Sequence, residues 1–199
     1  MVRVTTATTR TRLSPEERRT QLLELGVRLF STRTIDEISI DLVMEEAGVS
    51  RGLIYHYFDG KQGYREAVVR YAADDLFEKT APPEGDEPLE RLAASIAAYV
   101  DYVVANEAGY RSLVAAAAGG NEAMRAIYDS TFEAMGERFF AEAPTIDLPD
   151  TPAVRMIIRG WQAMAEKLVL GWCADPTTMT REELLTVITT SLPPLIALL

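Results

Sequence analysis

The chain has 199 residues, 48% of them hydrophobic, enough for one compact unit or a small domain joined to a larger one. One cysteine, Cys173, and one histidine, His56, exclude a disulfide framework, a multi-cysteine metal site and a His-rich zinc site. No run approaches the roughly 18 apolar residues of a membrane span. No charged segment leads into an apolar one as a secretion signal requires, so a reducing, cytoplasmic setting is expected.

There are 20 Lys+Arg against 30 Asp+Glu, a net charge of −10, which argues against broad coating of nucleic acid. The acid is unevenly spread: residues 1–33 hold 7 basic and 3 acidic residues, while residues 64–199 hold 11 and 21. A basic beginning on an acidic body suits one anionic partner met at the N-terminal end.

Residues 1–13 are rich in Thr, carry Arg3, Arg10 and Arg12, and lack acid and periodicity, so they are expected to form a disordered basic arm. Ser14-Pro15-Glu16-Glu17 then opens a helix. Ser14 caps it, Pro15 suits the first position, and Glu17 completes a capping box. Leu22, Leu23, Gly26, Leu29 and Phe30 mark one face, and the helix should end near Ser31–Thr34. Ser39 caps a short second helix with Ile40, Val43, Met44 and Ala47 on its apolar side, and Gly48 ends it. Ser50 caps a third, with Ile54 and Phe58 four apart on one face. Asp59-Gly60 breaks it, and a fourth helix begins near Lys61.

Residues 81–88 read as a linker, and long amphipathic segments follow it. They are expected at about 89–106, 110–118, 121–143, 152–174 and 180–192, the last opened by a Thr180/Glu183 capping box and kinked or ended by Pro193-Pro194. No segment reads as a strand. The expected fold is all-α: an N-terminal three-helix unit over residues 14–60, then a helical bundle over 61–199, about nine helices in total.

Two short helices joined by a turn glycine are the pattern of a helix-turn-helix, here residues 39–58, SIDLVMEEAGVSRGLIYHYF. Val43, Ala47, Val49 and Ile54 face inward and fix the angle between the helices. The other face of the third helix offers Ser50, Arg51, Leu53, Tyr55, His56 and Tyr57. One cation, hydroxyls, an imidazole and flat rings suit a helix that reads base edges and phosphates in the major groove.

The segments LLELGVRLF and AGVSRGLIYHYF, with Lys61 just after, resemble the DNA-binding domain of the TetR family of one-component transcriptional regulators. The close likeness covers about a fifth of the chain. It implies a homodimer that binds double-stranded DNA and a larger helical region that takes a small effector. It further implies phosphate contacts from Ser39 and Lys61, phosphate or base contacts from Ser50, Arg51, Tyr55 and His56, close backbone approach at Gly52, a thymine-methyl contact from Leu53, and assistance from Tyr57. Three features depart from the family pattern. Met44 stands where a small residue is common, Asp41 occupies an often basic place, and Gly60, Gly63 and Tyr64 differ from the common start of the fourth helix. A helical glycine lowers stability by roughly 1 kcal/mol relative to alanine.

Aromatic and Met residues recur on inward faces of the second region, and Tyr102, Met124, Tyr128, Trp161 and Met164 are the pocket candidates. Taken alone, each reads better as plain core. Little polar content faces inward, so a largely hydrophobic effector is expected, with no cofactor and no metal. The last two helices are apolar on more than one side, which asks for cover from a partner subunit. Leu168, Trp172, Leu184 and Ile188 are the interface candidates. A two-fold dimer implies a roughly palindromic operator. Effector binding is expected to tilt the fourth helix and release the DNA, which makes a repressor. Two other readings remain: a protein-interaction module of this fold without DNA binding, favoured by Asp41 and the acidic charge, and a small all-α enzyme using His56 as base, for which no nucleophile can be assembled.

Overall fold

The computed structural model describes residues 13–84, 87–142 and 148–198. The expected basic arm therefore lies outside the described residues, apart from Leu13. Among the described residues there are nine α-helices and no strand. The helices are α1 (Pro15–Phe30), α2 (Ile40–Ala47), α3 (Arg51–Phe58), α4 (Gly60–Lys79), α5 (Pro88–Ala105), α6 (Glu107–Ala118), α7 (Glu122–Glu142), α8 (Pro152–Ala174) and α9 (Arg181–Ile196). A single 3-10 turn, Ile35–Glu37, precedes α2 and has no counterpart in the sequence reading.

The helix starts follow from capping chemistry. Ser14 and Glu17 form a reciprocal box at α1, and Thr180 and Glu183 form one at α9. Ser39 and Ser50 accept the Leu42 and Leu53 amides and so set where α2 and α3 begin. Between them Gly48 takes φ 64°, a left-handed turn that a side chain would strain. The glycine at position 63, expected only to weaken α4, has a steric reason. A Cβ there would stand 1.8 Å from the Phe58 carbonyl oxygen. Glycine thus permits α3 and α4 to meet at a closeness no other residue allows.

α9 corrects one expectation. Pro193 and Pro194 lie inside it, and the helix continues to Ile196. Each proline removes one N–H, but the carbonyls left over belong to Thr189 and Thr190, which water can reach. The Ala197 amide closes the last turn on the Pro193 carbonyl at 3.0 Å.

Two cores share α4. The first packs Leu22, Leu29 and Phe30 of α1, Val43, Ile54 and Phe58 around Tyr64, Val68 and Val69 of α4, and runs on to Met124 and Ile127 of α7. The second packs Val100 and Val103 of α5 with Val154, Ile158, Val169, Leu184 and Ile188, and takes Leu76 from the far end of α4. A helix with one end in each core is placed to carry movement from one to the other.

Candidate DNA-reading surface and effector cavity

α3 buries Ile54 and Phe58 and leaves Ser50, Arg51, Gly52, Tyr55 and His56 exposed, with Leu53 and Tyr57 half-buried. The four-residue spacing of the two apolar anchors turns the rest of this short helix outward. Tyr57 packs against the first core, its ring 5.2 Å from that of His56 and edge-on to it. Ser39 and Ser50 accept backbone N–H groups, and each hydroxyl keeps its own proton to donate. Lys61 is exposed on the first turn of α4. Of the candidate DNA residues, Ser50, Arg51, Gly52, Tyr55, His56 and Lys61 are exposed, and Ser39, Leu53 and Tyr57 are half-buried.

Asp41, in the often basic place, accepts a hydrogen bond from the Arg51 guanidinium, and both side chains are exposed. The Asp41 charge, with a smaller contribution from Tyr55, raises Arg51 above its usual value. An exposed pair of this kind adds little stability, but it fixes where the first side chain of α3 points.

α4 is tied to this surface by buried polar contacts. The Tyr64 hydroxyl donates to the Leu22 carbonyl at 2.8 Å. Arg65 is buried, and its Nε donates to the Ile38 carbonyl at 3.1 Å while its other nitrogens reach the carbonyl and carboxylate of Asp36. These bonds hold the approach to α2 against the first half of α4. Burial pushes the Tyr64 hydroxyl well above its ordinary range.

A cavity of about 150 Å3 lies among α5, α7 and α8, with the end of α4 and Ile188 of α9 at its boundary. Its walls are mainly Ile96, Tyr99, Phe132, Met135, Ile158 and Trp161. Of the five predicted pocket residues, Trp161 alone lines it. The Trp161 indole N–H donates to the Ile188 carbonyl at 3.0 Å, which leaves the ring face as cavity wall. Tyr102 is buried and donates to the Ala72 carbonyl at 2.7 Å, so it fastens α5 to α4. Met124 belongs to the first core, Met164 packs half-buried on the second, and Tyr128 donates to Glu166. Helical periodicity showed that these residues face inward but not which interior they enter.

Arg138, Ser95 and Gln162 also line the cavity and were missed. Arg138 stands three residues after Met135 and next to Phe139, both apolar and both packed on the second core. That position was the available signal. Among the charged residues of α8, Arg155 pairs with Glu137 and Asp150, and Arg159 is exposed. Glu166 is 3% exposed and accepts from both the Tyr110 and Tyr128 hydroxyls at 2.8 Å. Tyr99 extends the chain through a 2.9 Å contact between its hydroxyl and that of Tyr110. Burial raises all three of these tyrosines well above their ordinary range.

The interface candidates also divide. Leu184 and Ile188 are fully buried within the chain itself, a correction to their expected place between subunits. Their cover is α5 and α8 of the same protomer, which periodicity alone cannot tell from a partner. Leu168 and Trp172 are half-buried, and the Trp172 N–H donates to the Met179 carbonyl at 2.9 Å. Gly160 and Ala163 of α8 are exposed, as are Met156 and Val187.

A helix-turn-helix ahead of an all-helical body with an apolar cavity is the architecture of a DNA-binding regulator. The family model described as bacterial regulatory proteins, tetR family, matches residues 22–68. The structure superposes on that of a tetR-family transcriptional regulator from Streptomyces coelicolor with a TM-score of 0.80 and 32% identity, over 94% of this chain and 83% of that one. A putative TetR-family regulator from Rhodococcus sp. has the same fold, with a TM-score of 0.74 at 23% identity over 91% of this chain and 99% of its own. Among curated proteins, the regulator BetI of Burkholderia thailandensis is 34% identical over 89 residues, 43% of this chain and 46% of its own length. The repressor KstR2 of Rhodococcus jostii is 36% identical over 62 residues, 31% of this chain and 30% of its own length. The chain thus spans less than half the length of these curated relatives. It belongs to the TetR family of bacterial regulatory proteins. Membership sets it among regulators and not among enzymes. Among the described residues no helix is long and apolar enough to cross a membrane.

Proposed function

We propose that the protein is a cytoplasmic, ligand-responsive transcription regulator, a homodimeric repressor that leaves a palindromic operator when a small, largely hydrophobic effector binds. The observation that carries this reading is the exposed face of α3. Ser50, Arg51, Tyr55 and His56 stand together on a helix fixed from behind by Ile54 and Phe58. Ser39, Gly52, Leu53, Tyr57 and Lys61 supply the surrounding phosphate and base contacts. Residues 14–60 are the reading unit, and residues 61–199 bind effector and partner.

The dimer surface proposed here is the exposed side of α8 and α9, with Met156, Gly160, Ala163 and Val187, flanked by Leu168 and Trp172. A two-fold pair sets its recognition helices roughly 34–36 Å apart, one turn of DNA or a multiple. The effector shifts the balance only by its differential affinity for the binding and released states. α4, with one end in each core, is the element that couples them.

Selection of genomic fragments by the purified protein at two salt concentrations tests this. A palindromic site, enriched and weakened by salt, is the expected result. No enrichment after unfolding and refolding to strip bound ligand leaves the interaction-module reading in its place.

A further inference from the structure

The chain carries a net charge of −10, yet the cavity wall contains two arginines, Arg91 and Arg138, and no Asp or Glu. Cations in an apolar wall are costly unless something offsets them. Arg91 is occupied at the Pro83 carbonyl. Arg138 is half-buried on α7 and forms no ion pair with any described residue. Its guanidinium carbon stands over the Phe77 ring, 3.4 Å from the centroid, and one nitrogen donates to the Phe77 carbonyl at 2.6 Å. That carbonyl belongs to the last turn of α4, where carbonyls lack partners within the helix, and its other donor is the Thr80 hydroxyl at 3.2 Å. Thr80 is itself part of the cavity wall. Arg138 therefore holds the end of α4 with one edge of its fork while the cavity adjoins the rest.

Resting on the effector reading above, we infer that the cavity takes an apolar molecule bearing one carboxylate, bound by Arg138, and that this binding weakens the guanidinium's hold on Phe77 and so frees the end of α4. The size fits a ring or a short chain, since an engineered apolar cavity of about 150 Å3 takes up benzene. The charge fits as well, because arginine presents a planar fork matched to a carboxylate. Desolvation lowers Arg138 from its ordinary value and outweighs the nearby Glu78 charge, which raises it. The switch needs no new element. A carboxylate on the remaining edge draws the guanidinium towards the cavity, and the Phe77 carbonyl, the weaker acceptor, loses its hold on the other edge.

Calorimetry of the full-length protein with hexanoate, octanoate and phenylacetate, each against its primary amide, separates the two layers of this claim. The acids are expected to bind at least tenfold more tightly than their amides. In Arg138→Gln that ratio falls to about one, and in Arg138→Lys, which keeps the charge but not the fork, it is intermediate. Hydrogen exchange supplies the second readout. The amides of residues 77–81 should exchange faster when an acid is added, and fast without ligand in Arg138→Gln. Equal affinity for acids and amides in the unaltered protein overturns the anion inference and leaves a hydrophobic effector standing. Binding of neither class overturns both. Acid binding with unchanged exchange at residues 77–81 overturns the link to α4. The comparison of acid with amide needs no variant, so a poorly folding substitution cannot mask the answer.

Discussion

The recognition helix takes its exposed residues from eight consecutive positions, Arg51–Phe58, whereas the cavity draws on residues from Thr80 to Ile188. In the first region geometry is local. Two serine caps, one turn glycine and two apolar anchors decide which side chains face out. In the second, five helices must be assembled before any residue has a place, and the same inward periodicity serves wall, core and subunit contact alike. A short surface site is written in adjacent residues. A cavity is written in the packing of distant ones.

The sharpest break in that contrast comes from inside the reading unit. Ile54→Ala should destabilise the protein by about 2–5 kcal/mol, because the cavity left under α3 cannot fill. Urea unfolding measures it, and a loss below 1 kcal/mol would show that α3 is not anchored from behind. In the body, Glu166→Ala removes the acceptor shared by Tyr110 and Tyr128. Tyr110 keeps its contact with the Tyr99 hydroxyl while Tyr128 loses its acceptor, so the loss should be about 1–3 kcal/mol, and the same unfolding experiment should show it with operator binding intact at low temperature.

Arg51→Ala should weaken operator binding by about 1–3 kcal/mol and relax specificity at one base pair, while Lys61→Ala weakens all sequences alike and lowers the salt slope by about 1. Titrations at several salt concentrations distinguish the two. Identical behaviour of both variants would mean that Arg51 touches only phosphate. The smallest effect belongs to Asp41→Asn. Stability should change by less than about 1 kcal/mol, since the pair is exposed. Affinity for DNA should rise, because Arg51 no longer divides itself between Asp41 and a phosphate. A fall in affinity would show that Asp41 positions Arg51 for reading.

Alkaline pH compares the regions at once. Tyr64 lies in the first core, and Tyr99, Tyr102, Tyr110 and Tyr128 in the body, all raised from an ordinary value of 10.0 by burial. Their contribution is complete below pH 10 and is lost as pH rises above it. The unfolded chain then gives up protons that the folded chain still holds. Tyrosinate absorbance from these five should therefore appear in step with loss of helical circular dichroism. Its appearance while the helices persist would contradict their burial.

Most helix limits and the whole recognition motif were legible in the sequence, because capping boxes, turn glycines and apolar spacing act over a few residues. The 3-10 turn at Ile35–Glu37 was not. It depends on Arg65 and on the Ser112 hydroxyl that receives the Ile35 amide at 2.9 Å, both far along the chain. The ion pair of Asp41 with Arg51 was hidden for a related reason, since the angle between α2 and α3 had to be known first. Trp161 lines the cavity, and a bulky ring on an apolar face fits either wall or core. Arg138 was overlooked because a charged residue beside Met135 and Phe139 looks like a solvent position until α4 is seen to end against it. Leu184 and Ile188 went astray because a helix apolar on several sides says how much cover it needs, not whose.

The carboxylate of Glu166 joins more of the molecule than any other side chain described. Tyr99 of α5, Tyr110 of α6 and Tyr128 of α7 all converge on it from α8, directly or through one hydroxyl. Four helices are thereby pinned at a single point beside the cavity. A lever turns only about something that stays still, and under the proposed switch this knot would be the fulcrum. Expansion of the cavity would then be taken up away from it, at α4. Loosening the knot should leave a protein that still binds its effector but wastes the motion, a regulator that senses without answering.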